Sequence, residues 1–444
     1  MLRKTESVAA RSVRARIHMH RKTLQERQEV SGHDFRVCVS TCFLPRFVAE
    51  IGMSRYLPYC PDQAELLPPS VRDVLGTDHL CFFVHSVVEC LDLSRFHSSY
   101  AVEGGQLYHP SLLLKVWLYG YCLGLTSSRR LEQRIREDLA FRYLAGGARP
   151  DYWALNAFRK RHPVAINDCF TQVLEQARKM GMRQLGTVAV DTTRVKASAS
   201  ADKIVFEKRQ QRARIRRKVR SWQKACDADD NNEGAGTQLG AAGEAVAAAP
   251  MAAVLEPLDK PRKRSATDPD ASFLRTSKGF VLGYSAQISV SEDHLIVAQR
   301  VIQRGNDNAT LVPMVDLTTR TCGQQPERVV ADSGFYTNQN LELLEQRGVE
   351  AYVPDSFLAR ELNLGKPAAE WPQSHPRLLK MRQKMRSPEG RQMYARRKGM
   401  VEPIFGILKE QRGMRAFRLR GLEKVGIEFA LAATAHNIAR MFRQ

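Results

Sequence analysis

The stretch GTVAVDTTRVKASAS, residues 186–200, is the most informative part of this chain. Its run of small and β-branched apolar residues, Val188 to Val190, predicts a buried strand that delivers Asp191 at its far end. An aspartate after a strand is, by itself, more often a helix cap or a turn residue. A second stretch, ERVVADSGFY, has the same pattern and ends its apolar run at Asp332. The repetition indicates that both positions are used for their carboxylates.

A third acid, Glu402, lies in RRKGMVEPIFGILKEQRG, a basic stretch with the pattern of a helix. Hard divalent cations prefer carboxylate oxygens, and a few acids that converge on one place can hold two of them. Two aspartates on strands and one glutamate on a helix therefore predict a cage for two metal ions, made of Asp191, Asp332 and Glu402.

The charge of the chain favours a polyanionic partner. It has 68 Lys plus Arg against 47 Asp plus Glu, a formal net charge of +21. Such an excess attracts nucleic acid by neutralising phosphates and releasing counterions, although a generally basic globular protein shows it too. The distribution favours nucleic acid, because Arg377 to Arg420 contains 14 Lys or Arg and only 3 Glu. A solvated charged face usually mixes the two signs.

Cysteine usage and hydropathy indicate a cytoplasmic protein without a membrane partner. The nine cysteines are scattered and lack the paired spacing of a zinc site, so reduced thiols are expected. No apolar run reaches the roughly 18 residues that span a bilayer. The N-terminal residues also lack the apolar core of a signal peptide.

Composition and periodicity divide the chain into three regions. Residues 1–52 are Arg-rich without a sustained period and are expected to form a disordered basic arm, which either grips DNA or is a plain extension. Translation could also begin at Met53, just before globular-looking sequence. Residues 53–181 are expected to be helical, and 182–444 to form an α/β domain with a basic, flexible insertion at about 201–270.

The helical region contains a candidate DNA reader. Asp78 is expected to cap one helix, Pro110 to open another, and 127–144 to form a single helix. After GGARPDYW a further helix carries Arg159 and Arg161. A short helix, a turn with Gly and Pro, and a basic helix are typical of a helix-turn-helix, although such pairs are common in proteins that never touch DNA.

After residue 278 the pattern alternates strands and helices. GFVLGYSAQISVS and HLIVAQRVIQ are β-rich runs separated by Glu292 and Asp293, which predicts a hairpin. The elements expected to follow are a helix at 309–319, the strand ending in Asp332, a helix at 338–347, a strand at 350–353, and helices at 396–410 and 424–441. This order predicts a mixed α/β sheet flanked by helices and preceded by an all-α region.

Motifs in both regions resemble one known family. In the helical region they are LLPPSVRDVL, YHPSLLLKVWLYGY, SSRRLEQRIREDLAFRYLAG, and RPD followed by FRKRH. In the α/β region they are VAVDTTRVKASAS, DPDASF, GYSAQISV, VVADSGFY, VEPIFGILK, RGLEKV and AHNIARM. The chain resembles the DDE transposases of bacterial insertion sequences, and most of all the insertion sequence eleven-eighty-two type with an InsH-like helical N-terminal domain. The similarity runs from about Ser54 to Met441 and implies an RNase-H-like catalytic domain.

The resemblance places the three family acids at Asp191, Asp332 and Glu402, as catalytic residues and as ligands of two Mg²⁺ ions, for which Mn²⁺ can substitute. Two such ions, roughly 3.5–4 Å apart, stabilise the attacking and leaving oxygens of a phosphodiester. One departure from the family pattern is Thr192, where Gly often follows the first acid.

The family also has a Tyr and an Arg before the Glu, and a Lys seven positions after it. Tyr394, Arg397 and Lys409 match these positions and are expected to contact DNA. One extra residue separates Arg397 from Glu402, so Lys398 is a rival for the Arg position. Lys409 lies two helical turns after Glu402, on nearly the same face, and is otherwise an ordinary surface lysine.

The resemblance implies a transposase that binds the terminal inverted repeats of its own element, cuts DNA and transfers strands. Its partners would be double-stranded DNA, both element ends and target, and a second copy of the chain, because two ends must meet. Arg194 and Lys196 either hold the substrate backbone or are ordinary surface charges, and Arg159 and Arg161 are the candidate readers of the helical region. A nuclease of the same fold without strand transfer and a DNA-binding repressor that has lost catalysis are the alternatives.

Overall fold

The computed structural model describes residues 70–98, 107–182, 185–200, 204–206, 217, 220–221, 263–276, 279–303, 305, 307–365 and 376–444. Residues Val71–Gln444 form one compact unit. The basic arm expected at 1–52 and the alternative start at Met53 lie outside the described residues, as does most of the insertion expected at about 201–270.

Helices open the described part of the chain. They are α1 (Val71–Leu75), α2 (Leu80–Glu89), α3 (Ser94–His97), α4 (Pro110–Cys122), α5 (Ser128–Glu137), α6 (Leu139–Leu144), α7 (Tyr152–Arg161) and α8 (Pro163–Lys179). Pro110 opens α4 as predicted, since a helix has no use for the N–H that proline lacks in its first turn. The cap of α2 is His79 rather than Asp78: its Nδ1 accepts from the backbone N–H of Cys81 at 3.3 Å, which corrects the predicted cap.

The single helix predicted at 127–144 is two helices. Asp138 has an extended backbone that ends α5, and its Oδ1 caps α6 by accepting from the N–H groups of Ala140 (2.9 Å) and Phe141 (3.3 Å). Because the break changes the direction of the chain, Leu139, expected on the buried face, is exposed.

The second region is built on a mixed sheet. In chain order the strands are β1 (Thr187–Lys196), β2 (Ile204–Phe206), β3 (Lys263–Ser265), β4 (Ser272–Thr276), β5 (Gly279–Ser291), β6 (Ile296–Ile302), β7 (Arg328–Ala331) and β8 (Glu350–Tyr352). β2 and β3 form a separate two-stranded ribbon, and the other strands belong to the main sheet.

β1 is the centre of the main sheet. It pairs antiparallel with β5 on one side and parallel with β7 on the other, and β8 is parallel to β7. β6 and β4 both pair antiparallel with β5. An antiparallel meander β1–β5–β6 continued by two parallel strands on the other side of β1 is the RNase-H-like sheet, so the predicted fold class is confirmed.

The hairpin predicted from the β5 and β6 sequences is present, with His294 of its turn in the left-handed region at φ 59°. Gly283 allows β1 and β5 to pair closely: a Cβ there would lie 2.1 Å from the carbonyl oxygen of Val195. Only glycine leaves room for this approach.

Helices cover the sheet. They are α9 (Leu311–Cys322), α10 (Asn338–Gln346), α11 (Ser356–Leu364), α12 (Pro376–Arg386), α13 (Pro388–Gly406) and α14 (Leu422–Phe442). The helices predicted at 309–319, 338–347 and 424–441 correspond to α9, α10 and α14. The one predicted at 396–410 begins earlier, at Pro388, and changes to a π-helical turn at Ile407–Gln411.

α14 joins the two regions. It packs against α2, α4 and α8 on the helical side and against β6 of the sheet. The buried side chain of Asn437 accepts from the N–H of Ile296 (2.9 Å) and donates to its carbonyl (2.9 Å). Helices and sheet thus share one hydrophobic core, and the boundary between 181 and 182 stays a prediction from sequence. None of the described helices is both long and apolar enough to cross a bilayer.

Candidate active site

β1 and β7 bring two acids together, one in the middle of β1 and one directly after the end of β7. The sequence pattern predicted that the strand ends at Asp191, but β1 continues to Lys196. The parallel register pairs Val190 with Ala331, so Asp191 and Asp332 are the next residues along the two strands. Neighbouring strands lie about 5 Å apart, and residues in the same register face the same side of the sheet. The carboxylates therefore meet, as the sequence pattern predicts.

Burial raises the pKa of both carboxyl groups. The pKa of Asp191 is raised to about 6, first by burial, which penalises the charged form, and then by the charge of Asp332. The pKa of Asp332 is also raised, with burial as the first cause. Arg397 opposes the shift at both positions. Burial penalises the charged form of both carboxyl groups, and a bound divalent cation, which prefers oxygen ligands, would offset that penalty.

Arg397 is a cation that already faces the pair. It lies on α13, where its Nη1 donates to Asp191 Oδ2 at 2.8 Å. Its guanidinium lies 5.5 Å from the ring centre of Tyr394, which is also buried. Lys398, the rival for this position, is exposed. The structure therefore brings Arg397 to the acid pair, with Tyr394 packed beside its guanidinium, and turns Lys398 to solvent.

Glu402 is not brought to the pair. It is exposed on α13, and the described part of the chain contains no group of three or more His, Cys, Asp or Glu side chains that could hold a metal ion. The reason is helix geometry: Arg397 and Glu402 are five positions apart, about 140° around the helix axis. A helix that directs Arg397 toward Asp191 directs Glu402 elsewhere. The three acids that were expected to form one metal site are therefore arranged as a pair of aspartates and a separate glutamate.

Lys409 lies in the π-helical turn Ile407–Gln411. Burial lowers its pKa, while the charges of Glu410 and Asp191 act in the opposite direction. Lys409 is therefore within electrostatic reach of the acid pair. π-helical turns occur often at functional sites, because they re-aim one side chain within a helix.

Arg194, on β1, is held by protein groups. Its Nη1 donates to Ser285 Oγ (2.9 Å), and its Nη2 donates to the Gly305 carbonyl (2.8 Å) and pairs with Asp307 (3.4 Å). Its charge opposes the raised pKa of Asp332, so it belongs to the electrostatic surroundings of the pair. Lys196, at the end of the same strand, is exposed.

Asp307 and Gln287 are neighbours of the site that sequence reasoning missed. The charge of Asp307 contributes to the raised pKa of both Asp191 and Asp332. Gln287, fully buried on β5, donates from Nε2 to Thr192 Oγ1 (3.0 Å) and to Asp307 Oδ1 (3.3 Å). A glutamine inside the apolar run SAQISVS was a usable signal, because a buried polar group needs partners. Asp307, in the irregular stretch after β6, carried no such signal.

Arg159 is buried rather than available to DNA. It is 3% exposed, and its Nη1 donates to Glu428 Oε1 (3.4 Å) and to Tyr121 OH (3.4 Å). Its guanidinium lies 4.3 Å from the ring centre of Trp117. The prediction that Arg159 binds DNA is therefore wrong: it is a packing residue, while Arg161 on the same helix is exposed.

An RNase-H-like sheet with an acid pair on two neighbouring parallel strands is suited to an enzyme that acts on nucleic-acid phosphodiesters. Comparison with protein families agrees. A family model described as "Transposase DDE domain" matches residues 370–442, and one described as "Transposase domain (DUF772)" matches residues 69–161. Both models describe transposases, and the two matches indicate an insertion-sequence DDE transposase, a metal-dependent enzyme of DNA cleavage and transfer.

The other comparisons add little. No curated protein matches the chain. The crystal structure of the Mos1 strand transfer complex aligns with 9% identity over 80% of this chain and 100% of that chain, at a TM-score of 0.16. A pre-cleavage Mos1 transpososome aligns with 8% identity, the same coverage and a TM-score of 0.16. These scores are too low to establish a shared fold. The fold class of this chain is assigned from its sheet topology instead.

Proposed function

We propose that this transposase binds the terminal inverted repeats of its own insertion sequence, cuts DNA at the element ends and joins the freed ends to target DNA. One observation carries the proposal: Asp191 and Asp332 occupy the register position next to the last paired residues of two neighbouring parallel strands, and burial raises the pKa of both carboxyl groups. The motifs of the eleven-eighty-two type support the finer assignment, and a homodimer follows because two element ends must be joined.

Asp191 and Asp332 would hold Mg²⁺, or Mn²⁺ in its place, with Glu402 as the third ligand of a two-ion site. When bound, such ions stabilise charge on the attacking and leaving oxygens of the phosphodiester. Carboxylate oxygens are the ligands that these ions prefer, and the raised pKa of the buried Asp191 supports the assignment.

The residues of α13 would have to move for this role. Arg397 now occupies Asp191 Oδ2, and Glu402 lies about 140° away around the same helix. We infer that Arg397 would leave Asp191 Oδ2 for Asp191 to hold a metal ion. The freed guanidinium then contacts the DNA backbone, the role that the family resemblance implies for it.

The surrounding cations would position DNA. Lys409, within reach of the charge on Asp191, would contact a phosphate next to the one being cut, and Lys196 a phosphate farther along β1. Attack by water on the phosphorus would break the P–O3′ bond at the element end, which frees a 3′-hydroxyl and leaves the phosphate on the neighbouring 5′-oxygen. That hydroxyl would then attack a target phosphodiester at the same site, displacing a second 3′-oxygen.

The test is a cleavage and joining assay with a labelled duplex that carries the element's own end and Mg²⁺ or Mn²⁺. Wild type is compared with Asp191→Ala, Asp332→Ala and Glu402→Ala, and with Asp316→Ala, an acid on α9 that pairs with Arg347 away from the site. Cutting and joining by the wild type and Asp316→Ala, and loss of both in the other three with DNA binding kept, support the proposal.

Other outcomes separate the alternatives. Cutting without joined products would leave a nuclease of the same fold. Binding without cutting by every protein would leave a DNA-binding repressor. Full activity of Glu402→Ala would remove Glu402 from the site and leave the two aspartates as its acids.

A further inference from the structure

A basic cleft opens where the helical region meets the segment before α14. It has a volume of about 380 Å³. Its walls are the start of α5 at 127–129, three residues of α7 (Asn156, the largely buried Arg159 and Lys160), and residues 418–420 together with Lys424. We call these residues the basic cleft. It is separate from the acid pair, and its walls come from distant parts of the chain.

The charges of the basic cleft have one sign. Among the described residues that line it, none is an acid. The buried Glu428 instead holds two walls together: it accepts from the backbone N–H groups of Arg418 (2.8 Å) and Leu419 (2.9 Å), and from Arg159 on α7. A solvated surface normally mixes both signs, so this arrangement is suited to an anion.

Two arginines of the cleft are held in place by their Nε atoms. Arg418 Nε donates to Thr126 Oγ1 at 2.7 Å, and Arg420 Nε donates to the carbonyl of Ser198 at 2.8 Å. An arginine anchored through Nε loses little side-chain entropy on binding. Its two Nη groups are the donors that bind a phosphate in a bidentate manner.

The start of α5 adds neutral donors. Ser127 is the N-cap residue of this ten-residue helix, and its side chain makes no capping hydrogen bond. The first turn of a helix presents backbone N–H groups and a partial positive charge, which favour a phosphate. The serine hydroxyls at 127 and 128 line the same cleft as the arginines and lysines.

The cleft is physically continuous with the catalytic strand. Beyond Asp191, β1 runs to Lys196, whose carbonyl accepts from the N–H of Phe417 at 2.8 Å. Five residues of strand span about 16 Å, and successive phosphates of one DNA strand advance by about 3.4 Å along the duplex. For a duplex that lies along β1, the segment that carries Arg418 and Arg420 would therefore begin about five nucleotides from the acid pair.

An aromatic side chain favours nucleic acid over a small anion. Trp153 is 67% exposed in the first turn of α7. Asn156 and Lys160 follow it by three and seven positions, so the three residues share one face of the helix. An exposed tryptophan next to clustered cations is suited to contact sugars and bases beside a phosphate backbone.

We propose that the basic cleft binds the sugar–phosphate backbone of a DNA duplex, five or more nucleotides from the phosphate at Asp191 and Asp332. The position relative to the cut rests on the proposed function, whereas the binding of duplex DNA in the cleft does not. The helical region thereby contacts DNA through the cleft, at exposed residues around the buried Arg159.

Lysine acetylation read by mass spectrometry tests the site directly. The full chain with Asp191→Ala is acetylated in a buffer that contains EDTA. Three samples are compared at equal ionic strength: the protein alone, the protein with a 30-base-pair duplex of the element's end, and the protein with inorganic phosphate. We expect the duplex to protect Lys160 and Lys424 severalfold and to leave Lys179, exposed on α8, reactive. Protection by inorganic phosphate alone, or equal reactivity throughout, would overturn the proposal.

Charge-neutralising variants give an independent measurement. Lys160→Gln with Lys424→Gln should lower the slope of log affinity against log salt by about 2, since each phosphate contact contributes about 0.9. Lys179→Gln with Arg320→Gln, two exposed cations on α8 and α9, is the matched control and should leave the slope unchanged. An equal fall in both variants would mean a general charge effect and would reject the cleft.

The two proposals fail separately. Protected lysines in a protein that never cuts DNA would reject the transposition chemistry and keep the cleft. Unprotected lysines in a protein that cuts and joins DNA would reject the cleft and keep the transposition chemistry.

Discussion

At the residue scale, Arg397 and a metal ion compete for the same oxygen. Arg397 Nη1 lies 2.8 Å from Asp191 Oδ2, so a cation bound at that oxygen has to displace it. Hydrogen bonds to charged groups contribute about 1.5–3 kcal/mol. We expect Arg397→Ala to bind Mn²⁺ at least about tenfold more tightly in the absence of DNA, which corresponds to about 1.4 kcal/mol. Isothermal titration calorimetry measures the affinity.

Lys398→Ala is the matched control, since Lys398 is the next residue on α13 and is exposed. Its metal affinity should equal that of the wild type. Tighter binding by Lys398→Ala alone would show that Lys398, the rival from the sequence, is the residue that guards the acids.

His436 makes the stability of the fold depend on pH. It is buried on α14, and its Nε2 lies 3.1 Å from the carbonyl oxygen of His294. Burial lowers its pKa from 6.5 to about 4, and the charges of Arg412 and Arg440 act in the same direction. The unfolded chain therefore takes up the proton first. The contribution of neutral His436 to the free energy of unfolding is fully present above pH 6.5 and is lost as the pH falls toward 4.

We expect the wild type to lose up to about 3 kcal/mol more than His436→Gln between pH 7 and pH 4. Urea unfolding at each pH measures the difference. The exposed His97, changed to Gln, should leave the wild-type pH dependence in place. Identical pH profiles for the wild type and His436→Gln would show that other groups set the acid limit.

Some site residues could be predicted from sequence and others could not. Asp191 and Asp332 follow short apolar runs, and the strand that each run forms fixes the position of the aspartate. The choice between Arg397 and Lys398 depends on the rotation of a helix, in which one position changes the direction by about 100°. The direction of Glu402 depends on the same rotation, and in this conformation Glu402 points away from the pair. The number of residues between Arg397 and Glu402 was therefore not enough to predict which of them faces the aspartates.

At the element scale, α7 is anchored by a buried ion pair. Arg159 and Glu428 have side chains 4% and 1% exposed, and burial raises the pKa of Glu428. Removing one partner of a buried pair leaves an uncompensated charge, which costs about 3–5 kcal/mol. We expect Arg159→Ala to destabilise the fold by that amount, and Arg161→Ala, at an exposed position on the same helix, by less than about 1 kcal/mol. Urea unfolding compares them.

Equal losses for the two variants would contradict the packing role of Arg159. The sequence groups Arg159 with Arg161, because both lie in the basic run FRKRH. The partner that buries Arg159 lies 269 residues away, beyond the reach of any local pattern. By contrast, the β5–β6 hairpin was predictable, since β-rich runs and a polar turn are local signals.

At the scale of the whole molecule, α14 makes two sequence regions one folding unit. It packs against helices of the first region and a strand of the second, and the buried core is continuous between them. The sequence divides the chain between residues 181 and 182 because the pattern changes there from helices to strands. A C-terminal helix that completes an N-terminal bundle gives no signal at that boundary. A change from a helical to a strand pattern along the sequence therefore does not show that the two regions are stable independently of each other.

This architecture predicts that a single change in α14 weakens both regions together. Asn437→Ala removes two hydrogen bonds to the backbone of Ile296 and leaves that N–H and carbonyl buried without a partner. Unsatisfied buried groups cost about 1–3 kcal/mol each. We expect the slowest amides of α4 and of β1 to lose the same free energy of protection, measured by native-state hydrogen exchange. Lys179→Ala, exposed on α8, should change neither; a loss confined to the sheet would show that the helices are stable on their own.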